Sequence, residues 1–277
     1  IYRPKVTGIS STTSIGTKFQ LRGVSTQKTI IFVHGLGLNK EMWQWLPKEL
    51  EENFRIVIYD LFGHGESPLP DEFPSLRMYS LQIKNLIEHC KVEKIILAGF
   101  SLGGMIVRRF TQDFPELVEG LMIFNSPHYR TKEQQLSIEE RVKLTTQFGP
   151  KATVSAAITR WFNEKFQLEN PDIIGTIKQW VVNNDPSIYP KIYKILAFDL
   201  EEIIKPDPPI ACPTLVVTAD KDYGNDPTMS KAIANEINKS QLYILKNLKH
   251  MALVEDPEQF GSIIRDFLVQ FVKVKRE

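Results

Sequence analysis

Short apolar runs alternate with amphipathic stretches over most of this chain. Thr29 to Val33, Arg55 to Tyr59, Lys94 to Ala98, Gly120 to Asn125, Thr214 to Ala219 and Gln241 to Leu245 are rich in β-branched and aliphatic residues. Runs of this length, such as Thr29-Ile30-Ile31-Phe32-Val33, read as buried strands of a parallel sheet. Between them lie helical patterns: Lys40 to Glu52, with Met42, Trp43, Leu46 and Leu50 at helical spacing, then Tyr79 to Cys90, and Leu102 to about Gln112, which must stop before Pro115. Pro227 to Asn238 and Pro257 to Lys273 close the series. Residues 1 to 23 read as a hairpin, Val6 to Thr13 and Lys18 to Arg22 around a turn at Ser14-Ile15-Gly16. Strand alternating with helix predicts an α/β fold, a mostly parallel central sheet with helices on both faces.

That rhythm breaks after the sixth strand. From Ser126 to about Pro209 the pattern predicts helices without strands: Ile138 to Phe148, Lys151 to Asn163, Asp172 to Asn183 and Tyr189 to Leu200. The segment is rich in aromatic residues, which amphipathic helices bury whether or not a ligand visits. Inserted beyond a strand's carboxyl end, it would form a cap over the sheet edge. The expected division is a core of residues 1–125 and 210–277 with a helical cap at 126–209.

Composition narrows the partners. Lys and Arg number 34 against 33 Asp and Glu, a net charge of +1, which offers no field for nucleic acid or an anionic membrane. No apolar run reaches the roughly 18 residues that a membrane span needs. Cys90 and Cys212 form no metal or redox spacing and read as reduced core thiols of a cytoplasmic protein. There is no dinucleotide fingerprint, no phosphate loop and no zinc spacing, so neither cofactor nor metal is expected. A monomer and a small homo-oligomer fit equally well.

The chemistry is carried by Gly99-Phe100-Ser101-Leu102-Gly103, a G-x-S-x-G match lying between a strand and a helix. A serine on that sharp turn is exposed at the sheet edge, and a side chain at Gly99 or Gly103 would collide with the neighbouring strand or helix. A serine hydroxyl needs a base, and the base needs a carboxylate to hold its tautomer. In this architecture the order is serine, acid, histidine. Asp222 follows the 214–219 strand and His250 follows the 241–245 strand, so Ser101, Asp222 and His250 satisfy it. Asp220 and Asp226 compete for the acid role; Asp226, just before Pro227, also fits a helix N-cap. Asp60 is a weaker candidate. Gly35 and Gly37 free the Leu36 N–H to swing toward Ser101, and with the Leu102 N–H it would form an oxyanion hole, each donor contributing about 3 kcal/mol to the transition state. His34 reads as a brace for its loop, His64 as part of a tight turn and His89 as a helix-surface or packed residue. His128 starts the cap, either touching substrate or serving as an ordinary loop histidine.

His34-Gly35-Leu36-Gly37, Asp60-Leu61-Phe62-Gly63-His64-Gly65-Glu66-Ser67 and the elbow Gly99-Phe100-Ser101-Leu102-Gly103-Gly104 together resemble the α/β-hydrolase superfamily over nearly the whole chain. The serine separates it from haloalkane dehalogenases and epoxide hydrolases, which place an aspartate at the elbow. The cap is most similar to those of 3-oxoadipate enol-lactonases and neighbouring carboxylesterases, through Arg160-Trp161-Phe162, Asp185-Pro186…Tyr189 and Asp199-Leu200, and outside the cap the strand-to-acid segment Val216 to Gly224 is similar too, with Ala219 where a glycine is common. The resemblance implies a serine hydrolase of a small ester or lactone. Arg160, Trp161, Phe162, His128 and Met251 are candidate substrate contacts; for Arg160 the favoured reading is a surface arginine of the cap. C–C hydrolysis of a diketone uses the same triad in relatives, and a small-ligand receptor that retains the triad is the reading from another class.

Overall fold

Neighbouring residues of the central strands point to opposite faces of the sheet, and both faces are apolar. Ile31 and Val33 enter one buried cluster while Ile30 and Phe32 enter the other, and Ile95 and Leu97 are separated from Ile96 and Ala98 in the same way. Such a strand is stable only with helices on both sides. A computed structural model describes residues 8–24 and 26–272. Eight strands make one sheet: β1 (Ile9–Thr12), β2 (Lys18–Arg22), β3 (Lys28–Val33), β4 (Phe54–Tyr59), β5 (Ile95–Phe100), β6 (Val118–Phe124), β7 (Thr214–Ala219) and β8 (Ser240–Leu245). Their order is β1-β2-β4-β3-β5-β6-β7-β8. β1 and β2 pair antiparallel to each other, and β2 to β4; every other pairing is parallel.

The chain departs from β3 first to one side and then to the other, so the sheet has its switch point between β3 and β5. Crevices at the carboxyl ends of strands form there. Register decides which loops share it. Val33 lies beside Gly99, Phe100 beside Phe124, Phe124 beside Val217, and Ala219 beside Leu245. The residues that follow these strands therefore leave the same edge side by side.

The helices are α1 (Leu50–Asn53), α2 (Leu76–Cys90), α3 (Leu102–Asp113), α4 (Lys132–Phe148), α5 (Val154–Trp161), α6 (Glu164–Glu169), α7 (Pro171–Val182), α8 (Tyr189–Phe198), α9 (Pro227–Asn235), α10 (Ala252–Glu255) and α11 (Pro257–Leu268). Helices α2, α3 and α9 cover one face; α11, with Met42 and Trp43, covers the other. Helices α4 to α8 all fall between β6 and β7, as the broken rhythm predicts.

Several boundaries differ from the sequence reading, for local reasons. The single helix expected at 40–52 is a 3-10 helix, Lys40–Trp45, followed by α1. Leu46, next to Pro47, is extended with ψ 148°, because a residue before proline avoids the helical region. Helix α4 begins six residues before Ile138, where Thr131 and Gln134 form a capping box. The helix expected at 151–163 is a turn at Pro150–Ala152 followed by α5, and α6 and α10 are additional. Helix α9 stops at Asn235, and α11 gives way to a 3-10 turn, Val269–Phe271. Val6 and Thr7 of the expected hairpin, and Lys273 at the end of the last expected helix, lie outside the described residues. No helix among the described residues is long and apolar enough to cross a membrane, and Cys90 and Cys212 are both free.

Candidate active site

Ser101 joins β5 to α3 with φ 55° and ψ −115°. A non-glycine residue held at positive φ costs on the order of 1–3 kcal/mol, so the surroundings must impose it. They do. The Ser101 N–H donates to the Phe124 carbonyl at 2.9 Å, and its own carbonyl accepts from the Gly104 N–H and the Ser126 hydroxyl, each at 2.9 Å. The turn closes only because glycines flank it: a Cβ on Gly99 would sit 2.2 Å from the Gly103 oxygen, and one on Gly103 would sit 2.2 Å from the Val33 oxygen. The side chain caps nothing, and Ser101 lines a cavity of about 320 Å³.

His250 faces that cavity from the loop after β8, packed against Phe100 with ring centroids 4.7 Å apart. Its Nδ1–H donates to Asp222 Oδ2 at 2.7 Å, so Nε2 is the nitrogen left for the cavity. Both residues are buried, at 6% and 2% exposure, which keeps water from competing for the bond. Asp222 Oδ2 also accepts from Asn125 Nδ2 at 2.9 Å, and Oδ1 accepts from the Asn225 N–H at 3.1 Å. Asn125, just past β6 in the left-handed region at φ 48°, is a site residue that sequence reasoning missed. An asparagine directly after a strand, a residue type that tolerates this conformation, was the available signal.

The competing acids have other work. Asp226 caps α9 by accepting from the Met229 N–H, and Asp220 accepts from the Asn247 N–H, shaping the loop that carries His250. Asp60 is buried and held by Lys40 through its backbone and side-chain nitrogens, both at 2.8 Å.

On the other side of Ser101, the loop after β3 is held by two histidines. His64 Nε2 accepts from the Gly37 N–H at 3.0 Å, and His34 Nε2 accepts from the Leu61 N–H at 3.0 Å. Each must then carry its proton on Nδ1; that of His34 donates to the Gly35 carbonyl at 2.8 Å. Gly37 adopts φ +77°, and among the described residues neither the Leu36 nor the Leu102 N–H donates to a partner. His34 thus braces its loop as expected, and His64 does more than close its own turn.

Burial keeps both rings neutral, lowering His34 to about 4 and His64 to about 3. The unfolded chain protonates near 6.5, so it takes up protons that the folded chain refuses as pH falls from 6.5 toward 4. Their contribution is complete above 6.5 and shrinks below it, by about 2 kcal/mol per ring at pH 5. The urea midpoint is expected to drop between pH 7.5 and pH 5. His64→Gln, whose side-chain oxygen can still accept the Gly37 N–H, should show about half that drop; an undiminished drop would mean that His64 is not held neutral.

Of the five expected substrate contacts, Arg160 and Trp161 line the cavity. The other three do not. Phe162 is fully buried and stacked on Phe166 at 5.3 Å, Met251 is fully buried, and His128 donates from Nε2 to Glu236 Oε1 at 2.7 Å. Met251 instead ties the two layers together, its N–H donating to the Trp161 carbonyl at 3.0 Å. No cluster of three or more His, Cys, Asp or Glu residues that could hold a metal occurs among the described residues.

Comparison with known proteins agrees with the fold. The chain is 23% identical over 250 residues to 3-oxoadipate enol-lactonase 2 of Acinetobacter baylyi, covering 90% of this chain and 91% of that protein. It is 28% identical over 252 residues to an AB hydrolase superfamily protein of Bacillus subtilis, covering 87% and 91%. The crystal structure of the enol-lactonase from Burkholderia xenovorans LB400 superposes with a TM-score of 0.83 at 20% identity, over 94% of this chain and all of that one. A family model described as alpha/beta hydrolase fold matches residues 28–257. With the sheet order, the strained serine turn and this match over most of its length, the chain belongs to the α/β-hydrolase fold family.

Proposed function

We propose that this protein is a serine hydrolase of small carboxylic esters or lactones. The observation that carries the reading is the 2.7 Å His250–Asp222 bond opening on the same 320 Å³ cavity as Ser101. In this mechanism His250 Nε2 removes the Ser101 proton as Oγ attacks the carbonyl carbon, and Asp222 stabilises the imidazolium that forms. The Leu36 and Leu102 N–H groups, aided by the α3 N-terminus, receive the oxyanion. His250 then gives its proton to the departing alkoxide, leaving an acyl group on Ser101. Water deprotonated by His250 releases it. The helices between β6 and β7 act as the cap, contributing Trp161, Tyr189 and Tyr193 to the cavity wall. The named activity of the enol-lactonases among the similar proteins supports a lactone or ester bond as the target.

The test is burst kinetics with p-nitrophenyl esters from acetate to decanoate. A rapid phase of nitrophenol release equal to the enzyme concentration is expected, with the acyl mass on the Ser101 peptide after acid quench. Absence of both burst and turnover across the series, repeated with a set of simple lactones, overturns the reading.

A further inference from the structure

The Leu36 N–H can serve an oxyanion only if its peptide plane is held. A trans peptide points its N–H and its C=O in opposite directions, so whatever grips the Gly35 carbonyl aims the Leu36 N–H. Two donors grip it: His34 Nδ1–H at 2.8 Å and the Leu38 N–H at 3.2 Å. The Leu38 N–H shares a peptide with the Gly37 carbonyl, and that carbonyl accepts from Asn184 Nδ2 at 3.0 Å. Asn184 lies between α7 and α8, 147 residues along the chain from Gly37. An amide on the inserted helices thus starts a series, Asn184 to Gly37 and Leu38 to Gly35, that ends on the Leu36 N–H.

Local structure puts Asn184 there. Helix α7 ends at Val182, and the Asn184 side chain folds back over its last turn, with Nδ2 2.9 Å from both the Trp180 and the Val181 carbonyl oxygens. A helix cap needs only those two. The Gly37 carbonyl is a third acceptor, and it belongs to the sheet's own loop. The approach is close and dry: Asn184 is buried, and a Cβ on Gly37 would sit 3.2 Å from Tyr189 Cε2 and 3.5 Å from Val181 Cγ2. The corner itself is tied, since Asp185 Oδ1 accepts from the Ser187 and Ile188 N–H groups at 2.8 and 3.2 Å. With His64 holding the Gly37 N–H from the other side, this glycine is gripped by the core and by the inserted helices at once.

We propose that Asn184 is a positioning residue for the oxyanion loop, fixing the Leu36 N–H through two intervening peptides. Each donation polarises the next peptide, so the same series strengthens Leu36 as a donor. The use made of Leu36 rests on the hydrolase reading; the anchoring of the loop rests on the hydrogen bonds alone. Asn184 does not line the cavity. Its loss should therefore act on the tetrahedral state and spare substrate binding.

The experiment compares Asn184→Ala and the isosteric Asn184→Asp with the wild type on the best p-nitrophenyl ester. Both should lower kcat at least about tenfold with KM within about twofold. Aspartate should cost at least as much as alanine, because its carboxylate would meet three carbonyl oxygens. An alkyl trifluoromethyl ketone probes the oxyanion directly. Ser101 Oγ adds to its carbonyl carbon, the proton passes to His250 Nε2, and the carbonyl oxygen becomes the oxyanion. Its inhibition constant should rise at least about tenfold in both variants, while that of the matching carbinol, which cannot form the adduct, stays unchanged. Unchanged kcat with only a lower melting temperature, or equal losses for ketone and carbinol, would make Asn184 a mere helix cap and overturns the proposal. Amide exchange followed by NMR tests the anchoring without turnover: the Gly37 and Leu38 N–H groups should exchange at least about tenfold faster in Asn184→Ala, with those of β7 and β8 unaffected. That result in a protein that cleaves no ester and forms no adduct supports the anchoring, and only the hydrolase reading fails. Unaltered exchange at Gly37 and Leu38, with esters cleaved at the wild-type rate, leaves the hydrolase reading standing and overturns the role of Asn184.

Discussion

Ser101→Ala is expected to lower kcat/KM for any ester the protein cleaves by at least about 10⁴-fold while leaving the fold intact. The hydroxyl makes no capping bond, and the two hydrogen bonds that hold the turn at Phe124 and Ser126 use the Ser101 backbone. Alanine keeps both. It also keeps the positive φ, which is imposed from outside, so the strain is unchanged. What disappears is the atom that, in the proposed mechanism, forms the bond to the acyl group. His250, Asp222 and the free N–H groups remain, which is why residual catalysis by the oxyanion donors sets the floor rather than zero. Steady-state assays on the best ester of the series, with thermal unfolding as the control for folding, check this. Activity above one per cent or so of wild type would place the nucleophile elsewhere.

Gly103→Ala should cost about 4 kcal/mol or more of stability, although alanine is the better helix former by about 1 kcal/mol. The added Cβ would lie 2.2 Å from the Val33 oxygen and 2.6 Å from the His34 oxygen. Both belong to main chain: β3 lies at the centre of the sheet, and the His34 loop is pinned by His64 and Asn184. A flexible side chain could turn aside; a central strand cannot, so α3 must lift from the sheet and carry Ser101 with it. Gly175, inside α7, is the matched control. Nothing lies within 4 Å of its Cβ position, so Gly175→Ala should stabilise by about 0.5–1 kcal/mol, as propensity alone dictates. Urea denaturation of the two variants separates contact from propensity. Equal effects at both glycines would show that the close approach of α3 to β3 is not what makes Gly103 necessary.

Much of the fold was legible because its signals are local. A β-branched run such as Thr29 to Val33 states its own conformation and burial, and glycines around Ser101 state a turn too tight for a Cβ. Serine, aspartate and histidine each follow a strand, and parallel register carries those strand ends to one edge. From these facts the α/β sheet, the interruption after the sixth strand and the candidate trio Ser101, Asp222 and His250 could be read without coordinates. Pro47 was also in plain view, and its effect on Leu46 was overridden by apolar spacing that continues across it.

What remained illegible depends on partners distant in sequence. Asn125 and Asp222 are 97 residues apart, and Asn184 meets the Gly37 carbonyl across 147. Phe162, Met251 and His128 looked as available to a ligand as Trp161, and only packing turned the first two inward and gave the third to Glu236. The neutrality of His34 and His64, and the meeting of Arg130, Arg141 and Arg160 at one cavity, likewise belong to no single stretch of chain. The conformation of each strand and helix follows from short-range sterics and hydrophobic period, which the sequence by itself determines; the order of the strands does not. The charge, shape and contents of the cavity arise from side chains on separate helices, and only the tertiary structure decides which of them face one another.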